Sequence, residues 1–185
     1  METEDFMKSL HGCQFFSKID LPYAYLQIPL HPDLRGFTTI NTPWRLFQYN
    51  FLPFGLHVSS GIFQSTIDNV LSKLRDVLTY QDHVKMFGTK KEAHDNNLKK
   101  ILERFMGKNV RIKSSKCMFG MMELEFLGFT VCSKVYRPDP NRFKLLVNIK
   151  SPKDQNLLRS IMGCFRYYSR FIPNFATGAH PLFVT

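Results

Sequence analysis

The chain has 185 residues, 44% of them hydrophobic and 14% aromatic, with 18 Phe and 7 Tyr. That content can bury one real core and excludes a disordered chain. The formal net charge of +10 directs attention to a polyanionic partner, either nucleic acid or an acidic membrane surface. No run of eighteen apolar residues is present, which excludes a helical membrane span. The acidic start, Met1 to Asp5, has no secretory pattern. Cys13, Cys117, Cys132 and Cys164 are scattered, with no CxxC pair and no histidine at zinc spacing. They are expected to be free thiols in an intracellular compartment, cytoplasm or nucleus.

Helix and strand signals alternate, which predicts a mixed sheet covered by helices. Phe15 to Leu21 is a short apolar and aromatic run suited to a buried strand. Ile40 to Phe51 carries Trp44, Phe47, Tyr49 and Phe51 around a turn at Thr42-Pro43, the pattern of a hairpin or extended arm. Phe63, Ile67, Val70, Leu71, Leu74, Val77 and Leu78 repeat at three and four residues and predict one long helix, with Ser59 or Ser60 as its cap. Thr79 to Phe87 then reads as two strands around a tight turn at Gln81-Asp82.

Thr89 to Glu92 has the spacing of a capping box before a helix with Leu98, Ile101, Leu102 and Phe105 on one face, closed by Gly107. In this helix His94 is expected at the surface. Val110 to Lys113 and Leu124 to Val131 read as strands. Tyr136 to Pro140 is a breaker and the best linker candidate. Two helical patterns follow, one with Phe143, Leu146 and Ile149, the other with Leu157, Leu158, Ile161, Met162 and Phe165. The expected domains are 1–136 and a helical 137–185.

Strand, long helix and hairpin with an acidic turn is the order of a polymerase palm. It would bring Asp20 beside Asp82, and two such carboxylates can hold divalent ions for nucleotidyl transfer. Taken alone, an aspartate at a turn is more often a turn former than a ligand.

Wider stretches add to this. Phe16-Ser17-Lys18-Ile19-Asp20-Leu21, running on through Ala24-Tyr25 to Gln27-Ile28-Pro29-Leu30-His31-Pro32, resembles the first catalytic block of the Ty3/gypsy retrotransposon reverse transcriptases. Leu52-Pro53-Phe54-Gly55-Leu56, with Phe63-Gln64, resembles the second, and Tyr80-Gln81-Asp82-His83 stands where that family carries Tyr-x-Asp-Asp. Lys116-Cys117-x-Phe119-Gly120 and Phe126-Leu127-Gly128 resemble the next two blocks. Arg137-Pro138-Asp139-Pro140 and Arg170-Phe171-Ile172-Pro173-Asn174-Phe175 resemble the thumb and connection.

The resemblance implies an α+β polymerase palm, an antiparallel sheet with helices on one face, followed by a helical partial thumb. It implies RNA-directed DNA polymerisation with Mg2+ or Mn2+, a template–primer of RNA and DNA, and deoxynucleoside triphosphates. It assigns metal binding to Asp20, Asp82 and the Leu21 carbonyl. Tyr25 takes the place of the steric gate, Gln64 lies near the incoming nucleotide, and Phe126, Leu127 and Gly128 form the primer grip.

The sequence departs from the family at several points. His83 replaces the second aspartate, and imidazole is a poor ligand for magnesium. Ser59-Ser60 replaces Ala-Pro, Gly36-Phe37 occupies the place of an expected lysine, and Pro22-Tyr23 replaces a more polar pair. The fingers, RNase H and integrase regions of the family are expected to be missing. The alternative left open is a non-catalytic module of retrotransposon origin that binds nucleic acid or protein. A zinc site on Asp20, Asp82 and His83 is a further reading, with no evident fourth ligand. Basic residues cluster from Lys85 to Lys116 and from Lys144 to Arg170, as a nucleic-acid backbone would require.

Overall fold

The protein is described by a computed structural model, which covers residues 10, 12–133 and 135–182. It folds as two compact units, Met1–Leu124 and Glu125–Thr185.

The first unit is built on strand β1, Phe15–Asp20. Antiparallel strands flank it on both sides: β5, His83–Gly88, on one, and β6, Met118–Met121, on the other. Strand β4, Val77–Tyr80, pairs with β5, giving the sheet order β4-β5-β1-β6. A small hairpin of β2, Ile40–Asn41, and β3, Leu46–Phe47, stands apart with both strands exposed.

Side chains alternate across a strand, so Ser17 and Ile19 share a face with Val84 and Met86. Helices α2, Ser59–Val70, and α3, Lys91–Gly107, cover that face. Ile19, Val84 and Met86 pack there with Phe63, Ile67, Leu71, Ile101 and Phe105. Lys18 and Asp20, paired with Lys85 and His83, occupy the opposite face. An antiparallel sheet with helices on one face is the expected architecture.

Several elements differ from their sequence expectations. Helix α2 ends at Val70, not Leu78. Lys73 (φ 67°) and Asp76 (φ 58°) are left-handed, which stops the helix before β4. Arg104 completes this end, donating from Nη1 to the carbonyls of Val70 (3.2 Å) and Ser72 (2.6 Å). The apolar stripe continues because Leu74 and Val77 pack on the same core after the backbone changes form. Neither serine caps α2: Val58 is the N-cap, and buried Ser59 donates to the Pro53 carbonyl at 2.7 Å. The Thr89–Glu92 capping box does not form, and Lys90 begins α3 without a side-chain bond. Residues 110–113 form no strand but are tied by separate bonds, Lys113 N–H to the Asp20 carbonyl and Arg111 N–H to Gln27 Oε1.

The second unit holds a three-stranded sheet, β7-β8-β9, whose first strand begins just before the unit does. The single strand expected over 124–131 is two, β7 Glu123–Phe126 and β8 Phe129–Cys132, reversed at Leu127-Gly128. The expected linker is strand β9, Tyr136–Pro138, antiparallel to β8. Asp139 follows as the N-cap of helix α4, Pro140–Val147, and accepts from Asn141 N–H. Asp154 likewise caps α5, Gln155–Tyr167. Helix α1, Pro32–Arg35, in the first unit, and α6, Phe175–Ala179, here, are short. Phe129 is the hub of this unit, with Tyr136, Tyr167, Tyr168 and Phe171 around it at centroid distances of 5.3 to 6.3 Å. All four cysteines are free thiols. Among the described residues, no helix is long and apolar enough to cross a membrane.

Candidate metal centre

Asp20 is the last residue of β1, and its cross-strand partner is His83, the first residue of β5. A two-residue turn, Gln81-Asp82, joins β4 to β5. The fold thus gathers Asp20, Asp82 and His83 at one sheet edge, with one ligating atom from each lying within 4.8 Å of the others. Asp20 is buried, 6% exposed, whereas Asp82 and His83 are half-buried. Backbone bonds hold the edge in place: Leu21 N–H donates to the Asp82 carbonyl (2.9 Å), and Lys113 N–H to that of Asp20 (2.9 Å).

The His83 ring lies between two carboxylates. Its Nδ1 is 3.0 Å from Asp82 Oδ1 and its Nε2 3.8 Å from Asp20 Oδ2. Even so, its pKa lies below that of an ordinary histidine. Burial is the largest cause and the Lys18 ammonium the next; Lys85 adds to them, and together they outweigh the pull of Asp82 and Asp20. The imidazole is therefore neutral at neutral pH. Two carboxylates and a neutral imidazole suit a divalent cation, and the imidazole favours ions of the zinc class over magnesium.

Tyr25 and Gln64 converge on Gln81. The Tyr25 hydroxyl donates to Gln81 Oε1 (2.7 Å), and its ring packs on Phe54 and Phe63 at 4.7 and 5.4 Å. Gln64 lies in the second turn of α2. Its Oε1 accepts from Gln81 N–H (3.1 Å), and its Nε2 donates to Thr79 Oγ1 (2.8 Å) and Asp68 Oδ1 (3.0 Å). The Thr79 hydroxyl also bonds Asp68 Oδ1. Both residues thus brace the turn that presents Asp82. Leu21 packs in the core beside Asp20.

Phe126, Leu127 and Gly128 lie in the second unit, at the β7–β8 turn. Leu127 (φ 47°) and Gly128 (φ 80°) are both left-handed. Tyr167 Oη donates to the Leu127 carbonyl (2.7 Å), while Tyr168 Oη (3.3 Å) and Asp139 N–H (2.8 Å) donate to that of Gly128. A Cβ on Gly128 would lie 2.6 Å from Tyr168 Oη, so a larger residue would have to displace that hydroxyl as well as adopt the left-handed φ. Of the basic residues, Arg104 serves the end of α2, whereas Lys90, Lys91, Lys99, Lys100, Lys108 and Arg111 are exposed.

The surface position expected for His94 is incorrect. The ring is fully buried, with Nε2 2.9 Å from Ser17 Oγ and Nδ1 2.9 Å from Asp95 Oδ1. Ser17 Oγ also accepts from Gly120 N–H, so this trio joins α3, β1 and β6. A signal was present, since His94 shares the spacing of Leu98, Ile101 and Phe105. Gln81 was missed as the keystone of the turn, and no local pattern marks it.

A family model described as "Reverse transcriptase (RNA-dependent DNA polymerase)" matches residues 1–131. The chain belongs to the reverse transcriptase family, whose members use divalent metal ions. It is 29% identical over 181 residues to the retrovirus-related Pol polyprotein from transposon 297 of Drosophila melanogaster, covering 97% of this chain and 17% of that protein. It is 25% identical over 181 residues to the transposon Tf2-7 polyprotein of Schizosaccharomyces pombe, covering 97% of this chain and 14% of that one. This chain therefore spans less than a fifth of either relative. Among solved structures, the foamy viral protease-reverse transcriptase in complex with RNA/DNA hybrid has a TM-score of 0.81 at 23% identity, covering 92% of this chain and 23% of the other. That likeness is one of fold.

Proposed function

We propose that this chain is a retroelement reverse transcriptase palm, residues 1–136, with a partial thumb and connection over 137–185. Its reaction is RNA-directed DNA synthesis, the transfer of a deoxynucleotidyl group from a triphosphate to a primer 3′-hydroxyl. The partner is a template–primer of RNA and DNA, in an intracellular setting that keeps the cysteines reduced. The observation that carries the reading is the gathering of Asp20 and Asp82 at one sheet edge by the β1–β5 register and the Gln81-Asp82 turn.

Asp20, Asp82 and the Leu21 carbonyl would hold Mg2+ or Mn2+. Such ions activate the attacking hydroxyl and stabilise the leaving pyrophosphate. The protein residues provide position. Gln64 and Tyr25 fix the turn that carries Asp82, with Tyr25 also at the steric-gate position. The Phe126-Leu127-Gly128 turn, locked by Tyr167 and Tyr168, is the candidate primer grip. Exposed lysines and arginines supply a salt-dependent attraction for the nucleic-acid backbone. His83 lowers the rate, because it removes a carboxylate from beside the cations. That loss is on the order of several kcal/mol, or about a thousandfold in rate.

Primer extension on an RNA template, with Mg2+ and with Mn2+, tests the proposal. Weak extension by the native chain, a gain in His83→Asp and loss in Asp20→Ala are expected. Extension that survives Asp20→Ala, or no extension by His83→Asp on any template–primer, would overturn it.

A further inference from the structure

We infer that the Asp20–Asp82–His83 cluster selects a single transition-metal ion of the zinc class, held between His83 Nε2 and the Asp20 carboxylate, over magnesium. The inference rests on the polymerase reading only for the site's location. It comes from the placement of the imidazole.

An ionised carboxylate can only accept, so the Nδ1 that lies 3.0 Å from Asp82 Oδ1 carries the ring hydrogen. At 3.8 Å from Asp20 Oδ2, Nε2 makes no hydrogen bond to that carboxylate, so the ring's second nitrogen and the carboxylate oxygen face each other with room for an ion between them. Zinc takes imidazole nitrogen at about 2.0–2.1 Å and carboxylate oxygen at about 2.0–2.2 Å, so two such ligands lie at most about 4.3 Å apart. An ion therefore fits between Nε2 and Oδ2 with shifts of a few tenths of an ångström.

The Asp82 carboxylate is already in the place of an outer partner. It holds the ring by Nδ1–H and makes Nε2 more basic, as the second carboxylate does in carboxylate–histidine–zinc arrangements. Water can complete the coordination, as it does in open zinc sites. Charge argues for one ion, not two. Asp20 and Asp82 together balance one divalent cation, and the cross-strand pair Lys18–Lys85, two residues along on the same face, opposes a second. Magnesium gains nothing from the imidazole, because it demands oxygen in near-octahedral array.

The test uses the whole purified chain, with folding of each variant checked by circular dichroism. Calorimetric titration with Zn2+ and with Mg2+ gives the preference. Co2+ serves as an optical probe, whose ligand-field bands separate a nitrogen and oxygen site from thiolate binding at the four cysteines. Zn2+ binding that Asp20→Asn abolishes and Asp82→Asn weakens by about ten- to a hundredfold is expected. His83→Asp should lose the zinc preference and gain Mg2+ binding. Zinc binding that is absent, or unchanged in Asp20→Asn and His83→Asp, would overturn the inference. The two readings fail separately. Mg2+-dependent extension by His83→Asp, with no zinc binding in the native chain, sinks this inference alone. Zinc binding that needs Asp20 and His83, with no extension by any variant, sinks the polymerase reading alone.

Discussion

Replacing Gln64 with alanine removes the amide that ties α2 to the β4–β5 hairpin. The best bonds lost across that boundary are Gln81 N–H to Oε1 (3.1 Å) and Nε2–H to Thr79 Oγ1 (2.8 Å). Each such bond contributes about 0.5–1.5 kcal/mol net, so their sum is about 1–3 kcal/mol. Gln81 adds to the effect, because its backbone sits at φ 54°, and a non-glycine residue relaxes readily from there once its N–H is released. Urea denaturation should therefore show Gln64→Ala destabilised by about 1–3 kcal/mol, and amide exchange should quicken in β4 and β5 before α3. Gln64→Glu keeps an acceptor for Gln81 but loses both donors and faces Asp68, so it should recover only part of the loss. A residue that merely faced an incoming nucleotide would behave differently. Stability of Gln64→Ala within about 0.5 kcal/mol of the native chain, with unchanged exchange in the hairpin, would refute the bracing role.

Three further outcomes are expected. A Cβ on Gly88 would lie 2.9 Å from the His94 Cβ and 3.1 Å from its Cα, so Gly88→Ala should destabilise by about 1–3 kcal/mol. His94→Ala keeps that Cβ and should not relieve the increment; relief measured in a double-mutant cycle would contradict the contact. Gly128→Ala combines a left-handed φ with the clash on Tyr168 Oη, and should lower the melting temperature. Adding Tyr168→Phe should restore part of that loss; no recovery would exclude the hydroxyl as the obstacle. His83 has a folded-state pKa below its ordinary 6.5, so as pH falls the unfolded chain takes up this proton before the native one. Stability from this group is complete above about pH 6.5 and declines as pH falls from there towards the lower folded-state value. Urea midpoints of the native chain and His83→Gln should diverge in that direction, and a native chain that gains stability on acidification relative to His83→Gln would reverse the sign.

Local chemistry made much of this protein legible from sequence. β1 reads as a strand because Phe15 to Leu21 is a short apolar run, and the Gln81-Asp82 turn stands out between two such runs. The blocks around Asp20, Gly55, Asp82 and Gly128 carried the family and the candidate residues. Tertiary structure decided where a continuing pattern changes its backbone. The stripe from Phe63 to Leu78 is one apolar surface, but left-handed Lys73 and Asp76 divide it into α2 and β4, because periodicity reports a buried face and not the conformation behind it. Contacts across the fold were equally hidden. Ser17 meets His94 77 residues away, Tyr25 meets Gln81 56 away, and Gln64 reaches Gln81 17 away. The His83 substitution was visible at once, but the ring's place between Asp82 and Asp20 was not. Cross-strand register and the hairpin turn set that geometry, and only the folded chain contains them.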